Sequence, residues 1–274
     1  MGLLTTSLAG SFFPRFFIRE TFNSESIRKV IAVSRENKNR LKLIGVDSHK
    51  LVYIPPGVDP NSLQAPSRKE VYKARNDASV DPDQFLVTYF GPPLSIRGVN
   101  TLIRATKFVL EKAPYLRYHL RVLILSRRRG SEYDAHEKRL LKLIGRFDLD
   151  RIVRLKSGFQ SEDKVKAFIA ASDLVALPFR HVISDVPLAV MEALALGKPV
   201  LSTKVDGIPE LLEDGRGLVI EPHDFESLGE IIIYFSENTE KLKQYGERAR
   251  RYILNHSTWE DCARKMLAFL ESAR

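Results

Sequence analysis

Cysteine is nearly absent: Cys262 is the only one in 274 residues. An internal disulfide framework is therefore excluded, and the composition fits a reducing, cytoplasmic setting. No C-x-x-C pair and no cluster of His with Cys suggests a metal site, so no metal is expected. Long apolar runs are missing as well. A membrane helix needs roughly 20 uninterrupted apolar residues, and the apolar start, Met1–Phe17, is broken by Gly10 and Pro14. That start also lacks the charged n-region of a signal peptide. Three phosphate or nucleophile signatures are missing too. No G-x-G-x-x-G follows the first strand, and neither G-x-x-x-x-G-K-[ST] nor G-x-S-x-G occurs, which argues against dinucleotide, P-loop and esterase chemistry.

The chain does carry an ordinary globular balance, 44% apolar and 28% charged residues, with a formal charge of +9. Such a surplus attracts polyanions: nucleic acid, anionic membrane surfaces or phosphorylated small molecules. Nucleic-acid binding would call for aromatic residues interleaved with a basic patch. That pattern is not seen, and no nucleic acid is expected. Phe12, Phe13, Phe16 and Phe17 beside Arg15 and Arg19 suit peripheral contact with a membrane face, or packing against another copy or another chain.

From Phe85 onward, short apolar runs alternate with helical-period segments. Strands are expected at 85–90, 120–125, 152–155, 174–177, 199–203 and 217–220, and helices at 99–112, 133–147, 162–171 and 188–196, with more helix to the end. Strands such as Val122–Leu125 are apolar at successive positions, as when both sheet faces are covered. This order specifies an α/β fold, a doubly wound parallel, Rossmann-like sheet. Ligands in such sheets sit beyond the carboxyl ends of the strands, so the loops after Phe90, Leu125, Leu155, Leu177 and Ser202 matter most. Ahead of this lie only two short strands, 30–33 and 51–54, and a helix at 34–43. Residues 60–84, rich in Pro, Ser, Asp and Lys, read as an extended connection.

Several stretches together resemble the retaining glycosyltransferases of family 4, whose GT-B architecture pairs two Rossmann domains. They are Ile31-Ala32-Val33-Ser34, Pro55-Pro56-Gly57-Val58-Asp59, the loop Gly91–Gly98 (GPPLSIRG), Ala171–Pro178, Pro187–Val200 (PLAVMEALALGKPV), Asp206–Leu211 and Ser257-Thr258-Trp259. Their order and spacing carry the match across about residues 28–274. The resemblance implies a carboxyl-terminal, nucleotide-sugar-binding half. It divides the chain into 1–59 (a remnant of the amino-terminal domain and interdomain segment), 60–84 (connection), 85–256 (Rossmann-like domain) and 257–274 (closing helix). Most of the acceptor-binding half, roughly 150 to 200 residues in a domain of ordinary size, is expected to be missing. A homo-oligomer or a separate chain would then supply it. The activity implied is retaining transfer from a nucleotide-diphosphate sugar, such as a UDP or GDP sugar, without metal or other cofactor. A non-catalytic nucleotide-sugar-binding module, one subunit of a split enzyme, and a sugar-nucleotide epimerase of the same fold are the alternatives. By analogy, the setting is cytoplasmic, at the membrane face.

The resemblance also assigns residues. Gly91 and Arg97 fall in the loop facing the diphosphate, where a cation neutralises the leaving group. Val186, Leu188 and Ala189 lie at a helix amino end whose free amides and dipole suit a diphosphate; Pro187 offers no amide there. Glu192 matches the carboxylate that accepts from ribose hydroxyls. Eight positions earlier the family has a second Glu near the sugar. Here Ser184 stands in its place and Asp185 follows, so either Asp185 substitutes or the sugar contact is altered. Arg97 and Asp185 are the candidate catalytic residues. Gly158 and Phe159 follow the strand whose loop faces the base, with a core role for Phe159 as the alternative. Arg127, with Arg128 and Arg129, either adds charge to the site or forms a solvated face.

Overall fold

The computed structural model describes residues 15–127, 131 and 133–272. The amino-terminal segment forms α1 (Arg15–Asn23), β1 (Val30–Ala32), α2 (Arg35–Ile44) and β2 (Leu51–Tyr53), with β1 and β2 paired in parallel. Ser34 caps α2 by accepting from the Asn37 amide at 2.9 Å, and Gly45 ends it at φ 94°. Ile18, Ala32, Leu41, Val46 and Leu51 form a small core of their own. Phe16 and Phe17 stay exposed.

The connection is not extended throughout. It contains α3 (Arg68–Asp77), opened by a capping box in which Ser67 and Glu70 satisfy each other's backbone amides. Ala74 and Val71 supply its apolar face, and Arg75 ties it down by donating to the Ala171, Asp81 and Gln84 carbonyls.

Six parallel strands follow. They are β3 (Phe85–Gly91), β4 (Leu120–Arg127), β5 (Val153–Gly158), β6 (Leu174–Leu177), β7 (Val200–Thr203) and β8 (Gly217–Ile220). Between them run α4 (Val99–Lys112), α5 (Leu116–His119), α6 (Asp134–Arg146), α7 (Glu162–Ala171), α8 (Leu188–Ala195) and α9 (Ile208–Leu212). After them come α10 (Phe225–Glu237), α11 (Thr239–Leu254) and α12 (Trp259–Ser272). Every residue of β3, β6 and β7 is buried, so helices cover both faces of the sheet. Each fully buried Leu or Val there contributes about 1.5–3 kcal/mol. Among the described residues no helix is long and apolar enough to cross a membrane.

Sheet order is β5-β4-β3-β6-β7-β8. The chain moves outward from β3 in one direction through β4 and β5, then returns to start outward again at β6. The chain leaves β3 and β6 towards opposite edges of the sheet, and the carboxyl ends of these two neighbouring strands mark the switch point where this class of sheet takes ligands. α12 returns to the amino-terminal segment: Val58 donates to the Ser257 carbonyl at 2.9 Å and the Cys262 thiol to the Pro55 carbonyl at 3.2 Å.

Candidate functional site

Two loops meet at the switch point. The first, Pro92–Gly98, leaves β3; the second, Pro178–Pro187, leaves β6 and enters α8. The amides of Arg180 and His181 donate to the Ile96 carbonyl at 2.8 and 3.2 Å, which locks the loops together. Gly98 sits at φ 74°, so close to the second loop that a side chain there would overlap the Pro178 carbonyl oxygen.

Arg97 is half-buried where these loops join. Its Nε donates to the Tyr89 hydroxyl at 3.3 Å, and its guanidinium lies 4.8 Å from the Phe179 ring centre. The Tyr89 hydroxyl in turn donates to the Pro92 carbonyl at 2.7 Å, and burial pushes that phenol up to about 12. Tyr89 is therefore a neutral, fixed prop. Among the described residues no carboxylate pairs with Arg97. An aromatic face and a hydroxyl orient it, and its charge stays available to an incoming anion. Gly91, at φ 133°, is packed against the same guanidinium: a Cβ there would stand 2.7 Å from Nη2.

Pro187 is the cap residue of α8 and makes no side-chain hydrogen bond to the helix start. The Leu188 and Ala189 amides thus remain as donors at the positive end of the helix dipole. Val186, just before the helix, is buried, and Glu192 is half-buried one turn on. Ser184 donates to the Val186 carbonyl at 3.2 Å and so braces the loop from within. On the other side of the switch, β4 and β5 end together, Arg127 pairing with Gly158 across the ladder. Gly158, at φ 94°, has open space where a side chain would be. Phe159 is 69% exposed, which removes the core alternative. Arg128 and Arg129 lie outside the described residues.

Asp185 takes a different course from the sugar-facing role the sequence suggests. It adopts φ 65° and is 4% exposed, with its carboxyl towards Ser34, Asn37 and Arg40 of the amino-terminal segment and towards Asp206. Gly207, which donates to the Asp185 carbonyl at 3.1 Å, is packed under Ser34 and Val186. Arg40 pairs with Asp206 at 2.7 Å, Arg35 with Glu210 at 3.3 Å, and Tyr53 bonds to Glu210. These contacts fasten the amino-terminal segment to the edge of the crevice.

Burial pushes the Asp185 carboxyl above its ordinary value and Asp206 reinforces this, against Ser34, Asn37 and Arg40. The folded chain then holds that proton more tightly than the unfolded one. The resulting stabilisation is complete below the unfolded value and fades as pH rises through the raised one. Asp185→Asn should be more stable than the parent at neutral pH, the difference closing near pH ~4. Urea midpoints of both chains across pH check this; a difference that does not change with pH would refute it.

The parallel order of the six strands, with its reversal between β3 and β6, defines a Rossmann-like protein of the doubly wound type. The chain belongs to the glycosyl transferases group 1 family, whose model matches residues 72–252. It is 30% identical over 191 residues to a D-inositol 3-phosphate glycosyltransferase of Kineococcus radiotolerans, covering 69% of this chain and 42% of that protein. It is 29% identical over 182 residues to the putative colanic acid biosynthesis glycosyltransferase WcaL of Escherichia coli, covering 64% and 42%. The chain thus spans under half the length of these two relatives. Among solved structures, Anabaena Alr3699/HepE in complex with UDP-glucose shares the fold at TM-score 0.80 and 24% identity, covering 98% of this chain and 71% of that one. WaaG, a glycosyltransferase involved in lipopolysaccharide biosynthesis, does so at TM-score 0.73 and 21% identity, covering 90% and 64%.

Proposed function

We propose that residues 85–256 bind the nucleotide-diphosphate sugar of a retaining glycosyl transfer, with 1–59 and 257–274 joining them to an acceptor-binding half. The observation that carries this reading is the Arg97 cation, without a carboxylate partner among the described residues and held by Tyr89 and Phe179 at the crevice where α8 begins. As the bond between sugar and diphosphate breaks, negative charge grows on the departing oxygen. Arg97 and the Leu188 and Ala189 amides stabilise that charge without having to reorganise. Glu192 accepts from the ribose hydroxyls, and the backbone at Gly158 and Phe159 meets the base. HepE, which shares the fold, was solved with UDP-glucose, which supports a nucleotide donor of this kind. The exposed Phe16 and Phe17 favour cover by a partner chain or a second copy.

A binding module without catalysis is the second reading. Ser184 in place of a carboxylate and the burial of Asp185 against the amino-terminal segment favour it. Titration calorimetry with UDP, GDP and ADP tests the site itself, and no heat with any of them ends both readings. A donor-hydrolysis assay then separates them: turnover supports the enzyme, binding without turnover the module.

A further inference from the structure

The opposite end of the same sheet holds a second feature that the donor crevice does not use. A cavity of about 270 Å³ opens at the amino ends of β3, β4 and β5, lined among others by Ser79, Leu86, Arg121, Asp150, Arg151 and Arg154. Donor loops lie at the carboxyl ends, so this cavity is separated from them by the length of the strands. Its volume is just under the range for drug-sized ligands and suits one small polar group.

Charge sets the class of ligand. Among the described residues three arginines face the cavity and Asp150 is the one carboxylate lining it. None of the three forms an ion pair with Asp150 or with any other described residue. Arg121 is half-buried, its Nη1 donating to the Leu120 carbonyl at 2.7 Å and the Arg117 carbonyl at 3.3 Å, while Nε and Nη2 have no partner among the described residues. Arg154 donates to the Ser79 hydroxyl, and Arg151 has no partner among the described residues. The neighbouring basic residue Arg117, by contrast, already pairs with Asp148 at 3.5 Å. Asp77 at the end of α3 and Asp81 and Asp83 in the loop after it do not line the cavity.

We propose that this cavity is a second, anion-accepting site, and that its ligand carries a phosphate monoester. Three arginines against one aspartate leave a surplus of two positive charges. A phosphate monoester carries about −1.5 to −2 at neutral pH, which balances that surplus. A carboxylate, with a single negative charge, does not. Planar guanidinium forks also match phosphate oxygens two at a time.

The test is amide chemical-shift mapping of the full chain with inorganic phosphate as the probe. Shifts are expected at Ser79, Val80 and Ile152, both in the parent and in Arg97→Gln, which isolates this site from the donor crevice. The double variant Arg151→Gln/Arg154→Gln removes two exposed side chains and should fold normally. It should weaken the response at those amides about tenfold or more, by loss of charge-assisted hydrogen bonds, and leave any response at Gly91–Gly98 intact. Sedimentation with phosphatidic acid vesicles, lost in the double variant and absent with phosphatidylcholine, assigns the monoester to a lipid headgroup. Phosphate shifts without sedimentation assign it to a free molecule. Silence at Ser79, Val80 and Ile152, or an equal response in the double variant, overturns the site.

Discussion

Arg97→Gln should lose most of the affinity for UDP and GDP while keeping the fold. In the parent, Arg97 spends little of its charge inside the protein: one donor goes to Tyr89 and one face rests on Phe179. Losing these contacts costs on the order of 1 kcal/mol in stability. A diphosphate would engage the remaining donors through charge-assisted hydrogen bonds, each set contributing about 1.5–3 kcal/mol, so calorimetry should read a fall of about 10- to 150-fold. Arg97→Lys keeps the charge and loses the fork, and should fall between the two. Tyr89→Phe should show a smaller loss, because the cation survives and only its prop is removed. With an acceptor-binding partner present, transfer should fall further, by about 10²- to 10³-fold, since the charge is needed most as the leaving group departs. Unchanged UDP affinity in Arg97→Gln, with measurable binding in the parent, would remove Arg97 from the site.

How much of this was readable beforehand varied with the kind of signal. The helices at 99–112 and 162–171 and the strands at 174–177 and 217–220 lie where periodicity and apolar runs put them. Burial on both sheet faces leaves a strong compositional trace, as in Val122–Leu125. α3 was missed because its apolar face is only Val71 and Ala74 within a charged segment; the Ser67 and Glu70 capping pair was the available clue. At the site, the loops were legible because topology fixes which strand ends face a ligand. The direction of Asp185 was not. A left-handed φ of 65° turns its side chain towards Ser34, and no spacing rule encodes that turn. Tyr89 reads as one more buried strand residue, and its hydroxyl matters only because Arg97 comes back to meet it. The pairs Arg40–Asp206 and Arg35–Glu210 join segments far apart in sequence and leave no local trace.

The same crevice should be unusually sensitive to a single methyl group. Gly98 has two separate reasons to be glycine. Its φ of 74° costs an L side chain about 1–2 kcal/mol. The added Cβ would also overlap the Pro178 carbonyl oxygen, a backbone atom held in place by β6 and by the Arg180 and His181 bonds to Ile96. Backbone cannot swing aside as a side-chain tip can, so the loops must separate. Gly98→Ala should therefore destabilise the fold by about 4 kcal/mol or more, lowering the melting temperature by about 10 °C for a chain of this size. Gly158→Ala is the control that splits the two causes: φ is 94°, yet nothing stands within 4 Å of the new Cβ. It should lose only the backbone portion, about 1–2 kcal/mol. Below its melting temperature, Gly98→Ala should still bind UDP poorly, because Arg97 moves with the displaced loop, whereas a variant weakened only in global stability would bind normally when folded. Equal melting temperatures for the two variants would show that the loops are not in contact at Gly98, and the crevice built on that contact would have to be redrawn.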